Sequence, residues 1–122
     1  MAKILIVDDS ETLREHVKSV LKGASHEVIE AENGIVGLAQ LKNSAGIQLI
    51  LCDVNMPEMD GITMCSKVFE DVEFKKIPIF MLTTESSTEL KERGKSYGVK
   101  AWVTKPFKEE VLLSAIKKVL NL

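Results

Sequence analysis

The chain has 122 residues, of which 45% are hydrophobic and 28% are charged. This length and apolar content predict one domain, residues 1–122, with one substantial core and no output domain. Sixteen Lys and Arg against 18 Asp and Glu leave a net charge of −2, which gives no electrostatic reason to expect nucleic acid or an anionic membrane as a partner. No apolar run is long enough to span a bilayer and no signal-peptide pattern follows Met1, so we expect a cytoplasmic protein.

Short apolar runs alternate with helical stripes along the chain. The runs that predict strands are residues 4–7, 28–29, 47–52, 77–82 and 99–103. Apolar residues at helical spacing predict a helix after each run, the first with Ser10 as its N-cap and Gly23 as its stop. Asp60 and Gly61 are typical of a turn or of the start of the third helix. The fourth helix, over about 86–97, has few apolar residues and contains Gly94, so we expect it to be lightly anchored.

Five β–α units in series predict a parallel sheet covered by helices on both faces. The first, third and fourth runs are nearly all apolar, which is typical of strands buried on both faces, whereas the second and fifth are mixed, as edge strands are. A doubly wound, five-stranded, flavodoxin-like α/β fold with the strand order 2-1-3-4-5 fits this assignment. The order is the one common to folds of that type, since the apolar pattern by itself does not determine it.

Polar residues follow the predicted strands where each strand ends. After strands one, three, four and five come, respectively, Asp8 with Asp9, Asp53, Thr83, and Lys105. Parallel sheets of this type bind ligands beyond the carboxyl ends of their strands, a region we call the carboxyl rim. We therefore expect three carboxylates, a hydroxyl and an ammonium to converge there.

Three converging carboxylates require a counter-charge. Each like-charged pair costs about 4 kcal/mol at roughly 4 Å in an effective dielectric near 20, and one lysine cannot neutralise three carboxylates. Oxygen ligands without His or Cys favour Mg²⁺, which takes one or two carboxylates. The remaining carboxylate is then free to attack phosphorus and form an aspartyl phosphate, whose oxygens the lysine and the threonine would stabilise.

The segments that carry these residues resemble a known family, the receiver domains of bacterial two-component response regulators, and most closely the free-standing chemotaxis (CheY-like) type. The resemblance covers essentially the whole chain. It rests on four segments in this order, ILIVDDS, LCDVNMPEMDG, MLT and VTKPF, at residues 4–10, 51–61, 81–83 and 103–107.

The resemblance implies a role for each residue of the rim. Asp53 would accept a phosphoryl group from a histidine kinase, and Asp9 and Asp53 would bind Mg²⁺ directly. Asp8 would bind the ion through water, and Asn55 through its backbone carbonyl. Thr83 would hydrogen-bond the phosphoryl group and Lys105 would pair with it. The bond from Lys105 to Pro106 is expected to be cis.

Three further positions bear on the lifetime of the phosphoryl group. Asn55 and Glu85 resemble the pairing of the chemotaxis type, which implies a short-lived phosphoryl group. Thr84 stands where Ala or Gly is usual, and its larger side chain at the mouth would slow access of the phosphodonor or of water.

Signal output is expected around the fourth helix. Trp102 occupies the aromatic switch position, where Tyr or Phe is usual, and its bulk restricts the rotamers the family uses. Lys91 and Lys95 lie on the polar face of the fourth helix beside it, which predicts a partner-docking surface. We expect a monomer whose partners are a histidine kinase and an output protein, such as a flagellar motor switch protein or a phosphotransferase.

The predicted function is thus a phosphorylation-controlled chemotaxis switch and not a turnover enzyme. A phosphorelay intermediate that passes the group to a phosphotransferase is the alternative. A Mg²⁺-dependent phosphatase is disfavoured because Asn55 stands where those families have a second Asp. A flavin carrier is disfavoured because Asp8 and Asp9 would repel the flavin phosphate, and the intact acidic and lysine set argues against an unphosphorylated scaffold.

The cysteines and histidines are given no role in this chemistry. Cys52 and Cys65 are too few for a disulfide framework and lack the spacing of a zinc site, so we expect small buried hydrophobic residues. His16 and His26 lie away from the rim in the sequence pattern and are predicted to be surface residues.

Overall fold

The computed structural model describes residues 1–122. The strands are β1 (Lys3–Val7), β2 (Glu27–Ala31), β3 (Leu49–Cys52), β4 (Ile79–Thr83) and β5 (Val99–Thr104). The helices are α1 (Glu11–Gly23), α2 (Gly34–Asn43), α3 (Gly61–Glu70), α4 (Thr88–Ser96) and α5 (Glu109–Leu120). All strand pairs are parallel and the order is β2-β1-β3-β4-β5, which confirms the predicted fold.

The sheet separates two apolar clusters because successive side chains of a strand point to opposite faces. Leu5 and Val7 of β1 belong to the cluster covered by α2 and α3, whereas Ile4 and Ile6 belong to the cluster covered by α1 and α5. Every residue of β3 and β4 is buried, while β2 and β5 are only partly buried. The central strands therefore hold the rim in place, and the mixed strands lie at the sheet edges as predicted.

Side-chain caps fix where four of the helices begin. The capping oxygens belong to Ser10, Asn33, Asp60 and Ser87, and each accepts a hydrogen bond from the backbone N–H three residues further on. Such caps satisfy donors that the first turn leaves free. Two of them start α1 and α3 immediately after the loops that carry the rim carboxylates, so the helix starts and the site are built by the same short segments.

Both cysteines are buried and free, as expected. Burial raises the pKa of the Cys65 thiol to about 12 and raises that of Cys52 well above its usual range. Both therefore stay as neutral thiols. None of the helices combines the length and the apolar character that a membrane crossing needs.

The prediction that His26 is a surface residue is wrong. Its side chain is buried where the chain enters β2, with 9% of the residue exposed. His26 Nδ1 accepts a hydrogen bond from the backbone N–H of Ala2 at 3.1 Å. The two residues are 24 positions apart, so a local sequence pattern does not predict this contact. Burial, with a smaller effect of the N-terminal amine, lowers the pKa of His26. His16 is half-exposed as predicted and stacks on Phe107.

The burial of His26 predicts a loss of stability in mild acid. Burial makes the charged ring less favourable in the folded protein than in the unfolded chain, where the imidazole titrates near pH 6.5. The free energy of unfolding should therefore fall as the pH drops below about 6.5 towards the lowered pKa of the folded state. Urea unfolding across this range should show a flatter pH dependence in His26→Asn than in the wild type. An unchanged slope in His26→Asn would contradict the prediction.

Candidate functional site

Three carboxylates meet at the carboxyl rim, where β1 and β3 lie side by side. One oxygen from each of Asp8, Asp9 and Asp53 lies within 4.8 Å of the other two. Asp8 and Asp53 are buried, with 3% and 8% of each residue exposed, and Asp9 is open to solvent. The structure thus brings together the three acidic residues that the sequence places after strands one and three.

Lys105 supplies the positive charge of this cluster. Its Nζ lies 3.0 Å from Asp8 Oδ2 and 3.4 Å from Asp53 Oδ2. The backbone N–H of Lys105 donates to the carbonyl of Thr83 at 2.9 Å, which ties the loop after β5 to the end of β4. The Lys105–Pro106 peptide is cis, as the resemblance implied. The cluster holds three carboxylates and one ammonium, so it keeps an excess of negative charge.

Burial raises the pKa of Asp8. The backbone N–H of Ser10, which donates to Asp8 Oδ1 at 2.8 Å, and the ammonium of Lys105 oppose this rise, while the charge of Asp53 adds to it. The net upward direction means that the charged form of Asp8 is less favourable in the folded protein than in water. A further cation bound at the cluster would therefore stabilise the ionised form of Asp8.

Asp53 is positioned by the start of α3. Its Oδ1 accepts a hydrogen bond from the backbone N–H of Val54 at 2.7 Å, while Oδ2 faces Lys105. The backbone of Gly61 lies so close to that of Asp53 that a Cβ at position 61 would be 1.9 Å from the Asp53 carbonyl oxygen. The sequence pattern indicates Gly61 only as the start of a helix; its requirement for glycine comes from this close approach, which a local pattern does not show.

Thr83 ends β4 inside the protein and is fully buried. Its Oγ1 accepts a hydrogen bond from the backbone N–H of Glu85 at 3.3 Å, which leaves the hydroxyl proton free to donate. The next residue, Thr84, is exposed and lines a cavity of about 330 Å³ together with Lys105, Pro106 and residues of α1. The two threonines therefore have different environments, one inside the rim and one at its mouth.

Asn55 and Glu85 meet across the rim. Asn55 Nδ2 donates to Glu85 Oε2 at 2.5 Å, which joins the loop after β3 to the loop after β4. Both residues come two positions after a rim residue, Asp53 and Thr83 respectively. This bond closes one side of the site with a polar contact.

Trp102 lies on β5 and also contacts Glu85. Its Nε1 donates to the Glu85 carbonyl oxygen at 2.7 Å. The indole rests on α4 at Gly94, where a Cβ would lie 3.1 Å from Trp102 Cζ3 and 3.3 Å from Val99 Cγ2. Gly94, which is unfavourable in a helix interior, is thus explained by the ring that packs against it. The sequence pattern shows only that a glycine at position 94 lowers the helix propensity of α4; it does not show the contact with Trp102.

Lys91 and Lys95 lie on the exposed side of α4, beside Trp102. With Lys100 of β5 they line a shallow groove of about 210 Å³, whose other walls are Val99, Ala101 and the indole. The groove is therefore lined by three lysines and three apolar side chains.

Comparison with known proteins identifies this arrangement. Residues 4–117 match the family model of the response regulator receiver domain. The chemotaxis protein CheY1 of Helicobacter pylori is 39% identical over 120 residues, which make up 98% of this chain and 97% of that protein. The sensor histidine kinase CheAY of the same species contains a segment 36% identical over 120 residues, equal to 98% of this chain and 15% of that kinase. The solved structure of Vibrio cholerae chemotaxis protein CheY4 superimposes with a TM-score of 0.91 at 41% identity, covering 98% of both chains.

The chain belongs to the response regulator receiver domain family of two-component signalling systems. Within that family it is similar to chemotaxis proteins of the CheY type. The family consists of signalling switches and not of enzymes that turn over an external substrate.

The crowding of carboxylates predicts that Asp8→Asn stabilises the protein when divalent cations are chelated. The change removes a buried charge and keeps an oxygen that can accept from Ser10. We expect a gain of about 1 kcal/mol in the free energy of unfolding, or roughly 4 °C in Tm, measured by thermal unfolding with a chelator present. Asp60→Asn is the control, because Asn caps a helix as well as Asp does, and it should be neutral. A clear loss in Asp8→Asn would show that its ion pair with Lys105 outweighs the cost of crowding.

The packing of Trp102 predicts that Gly94→Ala does not gain the roughly 1 kcal/mol that this change brings in an open helix. The added methyl group requires the indole to move, so the emission of the single tryptophan should shift to longer wavelength. Gly23→Ala is the matched control, because a Cβ there would have no atom within 4 Å; it should leave the emission unchanged. A stabilised Gly94→Ala with wild-type fluorescence would disprove the contact.

Proposed function

We propose that the protein accepts a phosphoryl group on Asp53 from a histidine kinase, with Mg²⁺ bound, and thereby changes its binding to a partner protein in chemotaxis signalling. The observation that carries this proposal is the cluster of Asp8, Asp9 and Asp53 at the carboxyl rim, where Lys105 contacts Asp8 and Asp53. Membership of the receiver family supports it, as does the similarity to a segment of a sensor histidine kinase.

The donor set of the rim fits Mg²⁺. All the clustered ligand atoms are carboxylate oxygens, with no imidazole or thiolate among them, and their charge exceeds that of Lys105. Asp9 and Asp53 would bind the ion directly, Asp8 largely through water, and Asn55 through its backbone carbonyl. Bound Mg²⁺ would offset the negative charge of both the carboxylates and the incoming phosphoryl oxygens.

Asp53 would act as the nucleophile. One of its oxygens forms the new bond to phosphorus while the bond from phosphorus to the donor breaks. The hydrogen bond from Val54 N–H fixes the carboxylate plane, and Lys105 Nζ already lies between Asp53 and Asp8, where it can pair with a phosphoryl oxygen. Thr83 would donate its free hydroxyl proton to another of those oxygens. Preorganised donors of this kind stabilise the charge that develops in phosphoryl transfer.

Glu85 would couple this chemistry to the output surface. Its N–H bonds Thr83 and its carbonyl oxygen bonds Trp102, so a shift of Thr83 towards the phosphoryl group displaces the backbone segment that holds the indole. Phosphorylation would thereby bias an existing equilibrium of α4 and β5. The Asn55–Glu85 bond and the exposed Thr84 would set the lifetime of the phosphoryl group by limiting access to it.

The groove beside Trp102, flanked by Lys91 and Lys95, would receive the output partner, such as a flagellar motor switch protein. The alternative role, relay of the phosphoryl group to a phosphotransferase, would use the same acceptor. We propose that the protein acts as a monomer in the cytoplasm, with protein partners and not nucleic acid.

The acceptor is tested by incubating the protein with a small acyl phosphate and Mg²⁺ and measuring its intact mass. We expect a gain of one phosphoryl group in the wild type and none in Asp53→Asn or in the presence of a chelator. Asp60→Asn, a change of the same kind outside the cluster, should still be labelled. Labelling that persists in Asp53→Asn would overturn the assignment of the acceptor.

A further inference from the structure

Arg14, on the first turns of α1, contacts the loop that carries two of the rim carboxylates. Its Nη1 donates to the backbone carbonyl oxygen of Asp8 at 2.6 Å. That carbonyl belongs to the peptide group that joins Asp8 to Asp9. The guanidinium therefore holds the one peptide plane that sets the relative direction of these two carboxylates.

The same guanidinium is anchored on β2. Its Nε donates to Glu30 Oε1 at 3.3 Å, and Lys18 Nζ holds the other oxygen, Oε2, at 3.0 Å. Although burial opposes the change, Lys18 and Arg14 together lower the pKa of Glu30, which keeps the carboxylate charged. The Glu30 backbone is fixed in turn, because its carbonyl accepts from Gln40 Nε2 at 2.9 Å. Only 15% of the Arg14 side chain is exposed, so water competes little for these contacts.

The Asp8–Asp9 loop is tied to β2 at a second point. The Asp8 N–H donates to the carbonyl of Ala31 at 3.0 Å, and the Asp8 carbonyl accepts from Arg14. The backbone of Asp8 is thus held on both sides, by the end of β2 directly and by Glu30 of β2 through the guanidinium. The side chain of Asp9, in contrast, is exposed, so its direction depends on the backbone that carries it.

We propose that Arg14 is a positioning residue for the metal site, with Glu30 as its anchor. This inference rests on the proposed function, because it concerns the Mg²⁺ that the rim would hold. Mg²⁺ tolerates little departure from octahedral geometry, so an oriented pair of carboxylates binds it better than a mobile pair. Partners that orient metal ligands from outside the first coordination sphere change affinity by about 10-fold or more.

Orientation and charge act in opposite directions here, which makes the role testable. The positive charge of Arg14 repels a cation at the rim, so its loss by itself would tighten Mg²⁺ binding. Loss of orientation would weaken it. Lys at this position keeps the charge but lacks the planar fork that reaches the Asp8 carbonyl and Glu30 at once.

The experiment is thermal unfolding over a MgCl₂ series, from which the Mg²⁺ dissociation constant follows through the rise in Tm. We expect Arg14→Lys, which keeps the charge, to weaken Mg²⁺ binding by about 10-fold. Arg14→Met should weaken it by less, because loss of the charge offsets part of the lost orientation. Lys18→Met is the matched control, because Lys18 lies one turn further along α1 and pairs with the same Glu30 but has no contact with Asp8. It should bind Mg²⁺ within about twofold of the wild type, a difference too small to reflect a lost ligand orientation.

The Tm without Mg²⁺ separates positioning from stability, because a merely structural role would lower that Tm and leave the dissociation constant unchanged. Arg14→Lys that binds Mg²⁺ as tightly as the wild type, or more tightly, would overturn the inference. Equal weakening in Lys18→Met would overturn it as well. If the Tm of the wild type did not change with MgCl₂, the result would instead overturn the proposed metal site, and this inference with it.

Discussion

The site depends on a charge imbalance, in which three carboxylates share one ammonium at the end of a buried sheet. Asp8 and Asp53 directly follow β1 and β3, whose parallel pairing holds the two residues side by side. Lys105 reaches both from the loop after the edge strand β5, across 97 and 52 residues of chain respectively. The hydrophobic core thus stabilises an arrangement that electrostatics alone would disperse. Burial is the main cause of the raised pKa of Asp8, and the charge of Asp53 adds to it.

Glu85 links this charged cluster to the surface. Its side chain bonds Asn55, its N–H bonds Thr83 and its carbonyl oxygen bonds Trp102, so one residue contacts the loop after β3, the end of β4 and the middle of β5. Two of these three bonds use the backbone. Substitution of the side chain therefore removes only the contact with Asn55 and leaves the path from Thr83 to Trp102 in place.

The sequence was sufficient to predict the features that follow from periodicity and from residue order. Edge strands, the Ser10 cap and the acidic rim all depend on which residue follows which, and the strand order follows from the type of fold that this pattern indicates. Prediction failed where contacts are distant in the chain. The burial of His26 depends on Ala2, the need for glycine at position 94 depends on Trp102, and the contact of Arg14 with Asp8 requires the first turns of α1 to face back over the loop. These depend on side-chain direction in the folded protein, which spacing alone does not encode.

The attachment of α4 differs from that of the other helices. Gly94 is its only buried residue, and the indole of Trp102 rests on it. A helix with so little apolar contact belongs to the part of a protein that opens locally at low free energy while the sheet stays intact. Under the proposed function, the gap between a docked and a detached α4 would be small enough for phosphorylation of Asp53 to shift their populations, whereas a better buried helix would be insensitive to it.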